Sequence, residues 1–201
     1  MKIIVWNSQD KCVADYHKLI RGCDVLCLLD CGQWTVPVYA LQIQNGLFHW
    51  KDEHEGLSYD IFYCLEKVAF ICRDGLYSGE SVLYSIHSNI GSLIGIRLQD
   101  DFWLFAHHEP NLVNAYHIGE FYLREISDRF RKAAFIADFK KKSYSWVQET
   151  VGKLYSIALP EGYYPHTVNY LFTIHVACTD LYLLEGYSET SNQPTFFELD
   201  I

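Results

Sequence analysis

Aspartate and histidine side chains stand at or near the ends of several short apolar runs in this sequence. Asp30, His107, His108 and Asp138 each occupy such a position. Carboxylates and imidazoles transfer protons in active sites. An Asp at a strand end is also a common turn former or helix cap, and a His pair there is often structural. The positions alone therefore leave a catalytic and a structural interpretation open.

The cysteines do not indicate a metal centre or a disulfide framework. Seven cysteines are spread without regular spacing, which favours reduced thiols. Cys23, Cys27 and Cys31 are four residues apart, but no Cys-x-x-Cys pair supplies the spacing of a zinc site. The apolar run around Cys27 predicts a buried strand, so Cys27 is predicted to be a small core residue.

The net charge of the chain indicates which class of partner to expect. The chain has 201 residues and a formal net charge of −9, with one short basic run, Lys140 to Lys142. Nucleic-acid-binding proteins usually carry a basic surface, so we expect no nucleic-acid partner and instead a basic protein partner. The acidic stretch with Asp52, Glu53 and Glu55 is the candidate contact loop.

No segment indicates export or membrane insertion. The N-terminal apolar run is too short for a signal peptide and lacks a cleavage site. No run approaches the ~20 apolar residues that span a bilayer. A cytoplasmic protein without membrane contact is expected.

The pattern of apolar residues predicts a single mixed α/β domain over residues 1–201. A 3.6-residue spacing predicts helices over 116–130 and 143–154, and a short helix near 15–20. No repeat or linker divides the chain, so two mixed β-sheets packed face to face with helices outside are expected. Apolar runs bounded by Gly, Asp, Asn and Ser predict strands at 3–6, 24–29, 59–65, 68–72, 82–86, 93–98, 102–106, 133–139, 170–177, 181–184 and 195–199.

Several segments resemble, in order, motifs of the endonuclease/exonuclease/phosphatase superfamily, which contains DNase I. The likeness is nearest to the nuclease subunits of cytolethal distending toxins, and it covers most of the chain. It implies an α/β (α+β), DNase I-like four-layer sandwich. The matching segments are Ile4–Gln9, Asp24–Gly32, Ile94–His107 and Phe135–Lys140, with weaker likeness at Tyr164–Ile174 and Ser191–Pro194.

The resemblance also implies a site for metal-assisted phosphodiester hydrolysis. In that superfamily carboxylates hold a divalent metal, one His deprotonates a water, and a second His faces the phosphate. The resemblance places Asn7 near the metal and Asp30 where the family has its metal-binding Glu. It gives His107 the phosphate-facing position and retains Asp138. His166 falls in one of the weaker segments.

Other family positions carry residues that cannot do the family's chemistry. Lys140 replaces an Asn, Leu171 an orienting Asp, Asn192 a metal-side Asp, and Gln193 the general base. A Gln does not titrate near neutral pH, and a general base contributes about 10²–10⁴-fold. With these replacements the resemblance implies an inactive relative without a cofactor, with the Lys140 ammonium in the place of the metal.

Three functions follow from this set of residues. The first is a catalytically inactive, cytosolic protein-binding module, such as a bacterial immunity protein that inhibits a basic toxin domain. The second is a Mg²⁺-dependent phosphodiesterase, a nuclease or phosphatase, that relies on Asn7, Asp30, His107 and Asp138. The third is a structural subunit of a complex. The sequence does not indicate an oligomeric state.

Overall fold

Short strands with alternating inward and outward side chains form most of the molecule. The computed structural model describes residues 1–8, 16–85, 92–108, 129–140, 156–158, 167–184 and 194–201. Besides a 3-10 turn at Gln99–Asp101, it contains one helix, α1 (Tyr16–Ile20), in the described residues. The strands are β1 (Lys2–Asn7), β2 (Val25–Gly32), β3 (Leu41–Gln44), β4 (Leu47–His54), β5 (Leu57–Cys64), β6 (Glu66–Arg73), β7 (Tyr77–Ser85), β8 (Ser92–Leu98), β9 (Phe102–His108), β10 (Lys132–Lys140), β11 (Ser156–Ala158), β12 (Thr167–Ile174), β13 (Ala177–Leu183) and β14 (Thr195–Asp200).

The strands assemble into two mixed sheets, as predicted. One has the order β13-β14-β1-β2-β6-β5-β4-β3, and the other has the order β11-β12-β10-β9-β8-β7. Each contains one parallel pair, β1 with β2 and β9 with β10, while the other described pairings are antiparallel. The carboxyl ends of two parallel strands lie at the same edge of a sheet. Each parallel pair can therefore present polar end residues together.

The core lies between the two sheets. Ile3 and Val5 of β1 pack in one buried cluster with Leu104 and Ala106 of β9. Side chains alternate between the faces of a strand, so Ile4 and Trp6 lie in a second cluster on the outer face of the larger sheet. Burial of apolar surface on both faces stabilises this sheet at about 25 cal/mol per Å².

Most strand predictions are confirmed, with some differences. The predicted hairpin around residues 66–67 is β5–β6. The predicted strand 170–177 is two strands, because the chain turns at His175, where φ is 51°. Strands β3, β4 and β11 were not predicted. Helix 143–154, and all but the end of helix 116–130, lie outside the described residues.

The prediction that Cys27 is a core residue is confirmed. Cys27 is fully buried in the core, and burial raises the pKa of its thiol well above the usual value. The six cysteines in the described part of the chain all have free thiols. No described helix has the length and apolarity to cross a membrane.

Gly95 of β8 is the tightest glycine position. A Cβ built there would lie 2.6 Å from Cδ1 of Phe105 and 3.0 Å from a methyl carbon of Val82. The Phe105 ring cannot easily move, since it is fully buried and packs against Trp103 and Phe130. A larger residue at position 95 would overpack this face of the smaller sheet.

We predict that Gly95→Ala lowers the free energy of unfolding by about 1–3 kcal/mol, the usual cost of overpacking. Urea denaturation followed by far-UV circular dichroism measures the change. Gly22→Ala is the matched control, because its nearest neighbour, the Leu19 carbonyl oxygen, is 3.5 Å from the added Cβ. Equal stabilities of the two variants would contradict the packing argument.

Candidate functional site

Asn7 and Asp30 lie at the neighbouring ends of the parallel strands β1 and β2. Asn7 is paired with Leu29, and the next residue, Ser8, donates its backbone N–H to the Leu29 carbonyl oxygen at 2.9 Å. The Ser8 hydroxyl donates to the backbone carbonyl of Asp30 at 3.2 Å. Asn7 and Ser8 are buried. These bonds fix the two strand ends relative to one another.

An irregularity at the end of β2 decides where Asp30 points. Regular alternation would place Asp30 on the outer face with Leu26 and Leu28, which belong to the outer cluster. The pairing of β2 with β6 instead shifts register between Leu29 and Gly32, and Asp30 has φ of 50°. Bulges of this kind redirect side chains at sheet edges and beside active sites. Here the bulge lets the Asp30 carboxylate reach the opposite sheet.

His108, at the end of β9, is the residue that Asp30 reaches. Its Nε2 atom lies 3.5 Å from Oδ1 of Asp30, and the two side chains are 11% and 34% exposed. His108 continues the inward-facing series of Leu104 and Ala106, whereas His107 falls on the same face as Phe105. The structure therefore brings His108 to Asp30, while the sequence resemblance selected its neighbour His107 for the phosphate-facing position. Counting the strand alternation through 102, 104 and 106 would have identified His108 as the inward-facing residue.

The parallel partner of β9 brings position 138 to the same edge. Asp138 is paired in the backbone register with His108 on one side and with Asn169 of β12 on the other. Lys140, the last residue of β10, is paired with Thr167. Both pairs of parallel strands therefore end at one edge of the sandwich.

The remaining predicted positions do not add to this site. His166, Asn192 and Gln193 lie outside the described residues, so the predicted loss of the general base is not tested. Leu171 of β12 is fully buried in the core between the sheets.

The donors at this edge suit a hard cation that keeps much of its own water. Among the described residues there is no group of three or more His, Cys, Asp or Glu side chains that could hold a metal ion. Mg²⁺ usually binds through one or two carboxylates, several waters and the phosphate of its substrate. The carboxylate of Asp30 and the amide of Asn7 fit a Mg²⁺ bound in that way.

The acidic stretch that was predicted to be a contact loop is part of a hairpin. Asp52 and Glu53 lie in β4, and Glu55 with Gly56 forms the two-residue turn into β5, with φ of 52° and 76°. Such turns need positive φ at both residues. The Asp52 carboxylate accepts a hydrogen bond from the Tyr16 hydroxyl at 2.6 Å, and Glu55 forms an ion pair with Arg21. A role of this stretch in partner binding stays a prediction.

Solved structures confirm the fold that the resemblance implied. The cytolethal distending toxin of Haemophilus ducreyi superimposes with a TM-score of 0.68 at 13% identity, over 100% of this chain and 98% of that one. A 3' phosphatase from Neisseria, bound to product DNA hairpin, gives 0.58 at 13% identity over 100% of both chains. ANGEL2, a 2',3'-cyclic phosphatase, gives 0.61 at 13% identity over 98% and 94%. No family model and no curated protein matches the sequence.

The expectation that the chain is not an enzyme is corrected by these comparisons. Solved structures with the same architecture are described as phosphatases. The inactive interpretation depended on replacements at 140, 171, 192 and 193, of which the last two lie outside the described residues. The described strand ends, by contrast, bring Asn7, Asp30 and His108 to one edge.

Two histidines stack on the outer face of the larger sheet, away from this edge. The rings of His17 in α1 and His54 in β4 lie 3.6 Å apart between centroids, at 16°. Burial, followed by the charge of His54 and then that of Arg21, lowers the pKa of His17, while Asp52 acts in the opposite direction. The folded protein therefore binds fewer protons at this position than the unfolded chain near pH 6.

We predict that acidification from pH 7.5 to 5 destabilises the protein partly through His17. A His with a lowered folded pKa favours the folded state above its ordinary value of 6.5 and loses that contribution as the pH falls. His17→Gln should lose less unfolding free energy over this range, as measured by urea denaturation at both pH values. His175→Asn, at the exposed β12–β13 turn, is the control. The same loss in His17→Gln and the parent would contradict the prediction.

Proposed function

Given its DNase I-like fold, we propose that this chain is a divalent-metal-dependent phosphoester hydrolase, a nuclease or phosphatase. The observation that carries the proposal is the contact between Asp30 and His108. It joins the two sheets at the edge where both parallel pairs end, next to Asn7.

Each of these residues has a chemical role that its position supports. His108 can move a proton or donate a hydrogen bond to a phosphate oxygen, and the Asp30 carboxylate lies 3.5 Å from its Nε2 atom. Asn7 offers an uncharged amide that can accept or donate a hydrogen bond. The buried strands behind these side chains hold them in place, which lowers the entropic cost of binding substrate.

Asp30 and Asn7 are the described residues that would hold a Mg²⁺ ion, and the resemblance adds Asp138. When bound, such an ion neutralises phosphate charge and makes a coordinated water more acidic. The carboxylate of Asp30 would then be shared between the cation and His108. The Asp30 side chain is one methylene shorter than the family's Glu, and the bulge moves it toward the opposite sheet.

The charge of the chain favours a short substrate over a long nucleic acid. A duplex is held mainly by basic side chains along its phosphates, whereas this chain has a net charge of −9. The neighbours described as acting on a 3' phosphate and a 2',3'-cyclic phosphate support terminal phosphates as the substrate class.

Substitution of the two contacting residues tests this function. With Mg²⁺ or Mn²⁺, we expect the parent to hydrolyse at least one of four probes: bis(p-nitrophenyl) phosphate, adenosine 2',3'-cyclic phosphate, a 3'-phosphorylated oligonucleotide, or supercoiled plasmid. Asp30→Asn and His108→Asn should each lower kcat/KM by roughly 10²-fold or more, because proton transfer or charge stabilisation is lost. Asn tolerates the positive φ at position 30, so the backbone should be preserved.

Two matched variants separate catalysis from folding. Asp100→Asn makes the same change at an exposed residue with φ of 58°, at the turn before β9, and should keep full activity. His107→Asn should affect stability more than kcat/KM, since its side chain lies on the other face of β9. Hydrolysis of none of the probes by the folded parent would refute the proposal, as would full activity of Asp30→Asn.

A basic protein partner is a second, compatible role. Val38, Tyr39 and Leu41 are exposed apolar side chains within four residues of the chain, with 105%, 69% and 63% exposure. Clustered exposed apolar side chains often mark protein interfaces, and the net charge would attract a basic partner. Binding of a basic domain that weakens as salt is raised would support this role, and salt-independent binding would contradict its electrostatic part.

A further inference from the structure

We propose that a second cavity, at the far side of the sandwich from the candidate site, binds an uncharged heteroaromatic molecule of the nucleoside class. The cavity has a volume of about 450 Å³ and lies where the edge strands β3 and β7 approach each other. Small-molecule sites typically measure about 300–1,000 Å³ and combine apolar walls with a few placed polar groups. The lining residues used below are Leu41, Ile43, His49, Tyr77, Ser81 and Trp103.

A bulge in β7 helps to form the opening. The pairing of β7 with β8 shifts register between Tyr77 and Ser81, and Gly79 between them has φ of 93°. A Cβ added at Gly79 would meet no atom within 4 Å. The backbone therefore leaves space at this position, while the Tyr77 hydroxyl contacts the Ser81 hydroxyl at 3.5 Å.

A buried carboxylate fixes the orientation of the cavity histidine. Asp60 is 3% exposed, and its Oδ1 atom lies 2.8 Å from Nε2 of His49. A buried carboxylate is costly unless it is paired, so this pair is more than a surface contact. The His49 ring also stacks on Phe62 at 4.5 Å and 10°. One face and one nitrogen of the imidazole are thereby held by the protein, which leaves a rigid polar group at the cavity wall.

The chemistry of the lining selects the class of ligand. Tyr77 and His49 provide aromatic surface, and Leu41 and Ile43 provide aliphatic surface, which together suit a flat ring. Ser81 and His49 add hydrogen-bonding groups of the kind that read the edge of a base.

Charge near the cavity disfavours a phosphorylated ligand. Glu80 lies in the lining, and its carboxylate already accepts a hydrogen bond from Arg97 at 2.8 Å. The same guanidinium contacts Asp101 at 2.9 Å. The described lining contains a carboxylate and no Lys or Arg, so a phosphate group would be repelled.

This cavity is separate from the phosphoester site. Trp103 and His108 lie at opposite ends of β9, five residues apart, which corresponds to roughly 16 Å along a strand. The inference consequently does not rest on the proposed hydrolase activity, and the two can be tested apart.

Isothermal titration calorimetry with adenosine and with uridine, in EDTA, tests the inference on the full chain. We expect saturable binding of at least one nucleoside, and binding at least 5-fold weaker in Tyr77→Leu, in line with the usual effect of removing a stacking partner. His49→Gln should weaken binding similarly, and its amide can still donate to Asp60, which protects the fold. Ser81→Ala is a milder variant that removes one hydroxyl.

Controls locate the binding and separate it from the other site. Tyr182→Leu removes a half-exposed aromatic on β13 and should leave binding unchanged, as should Asp30→Asn. The proposal is overturned if neither nucleoside binds at about 10 mM. A dissociation constant above that concentration corresponds to a binding free energy weaker than ~3 kcal/mol. The proposal is also overturned if adenosine 5'-monophosphate binds more tightly than adenosine, or if folded Tyr77→Leu and Ser81→Ala bind as the parent does.

Discussion

The contact between Asp30 on one sheet and His108 on the other depends on the irregular backbone at the end of β2. A regular strand would direct Asp30 to the outer face, where Leu26 and Leu28 are buried. Positive φ at a non-glycine residue costs free energy, and Asp and Asn are among the residues that tolerate it best. This unfavourable backbone conformation occurs at the one described position where a carboxylate on the larger sheet contacts an imidazole on the smaller sheet.

The rest of the sandwich holds that contact in place. Ile3 and Val5 precede Asn7 on the inner face of β1, and Leu104 and Ala106 precede His108 on β9. Each polar end residue thus continues a fully buried apolar strand. Close-packed interiors resist displacement, so a polar group at the end of such a strand keeps its position without a dedicated loop. This is the physical reason to expect a preorganised site at this edge.

The sequence allowed the prediction of most strands and of two packed mixed sheets. Asp30 and Asp138 stand at or near the ends of apolar runs, and the family resemblance selected them together with Asn7. The contact between His108 and Asp30 was not predicted, because a motif match does not record the parity of a strand, and a shift of one residue exchanges its two faces. The orientation of Asp30 could not be predicted, since a bulge depends on the pairing of β2 with β6 across the sheet. Strands β3 and β4 were missed although Asn45-Gly46, between them, is a strong hairpin signal, and φ at Gly46 is indeed 88°.

We propose that the ends of β1, β2 and β9 form a site for a divalent metal and a phosphoester. Titration of Mn²⁺ into ¹⁵N-labelled protein shows where a cation binds, because the paramagnetic ion broadens the amide signals that lie near it. We expect the signals of Asn7, Asp30 and His108 to broaden first and the signal of Trp103, at the other end of β9, to stay sharp. Broadening centred on the Asp52–Glu55 stretch, or no selective broadening at all, would contradict it.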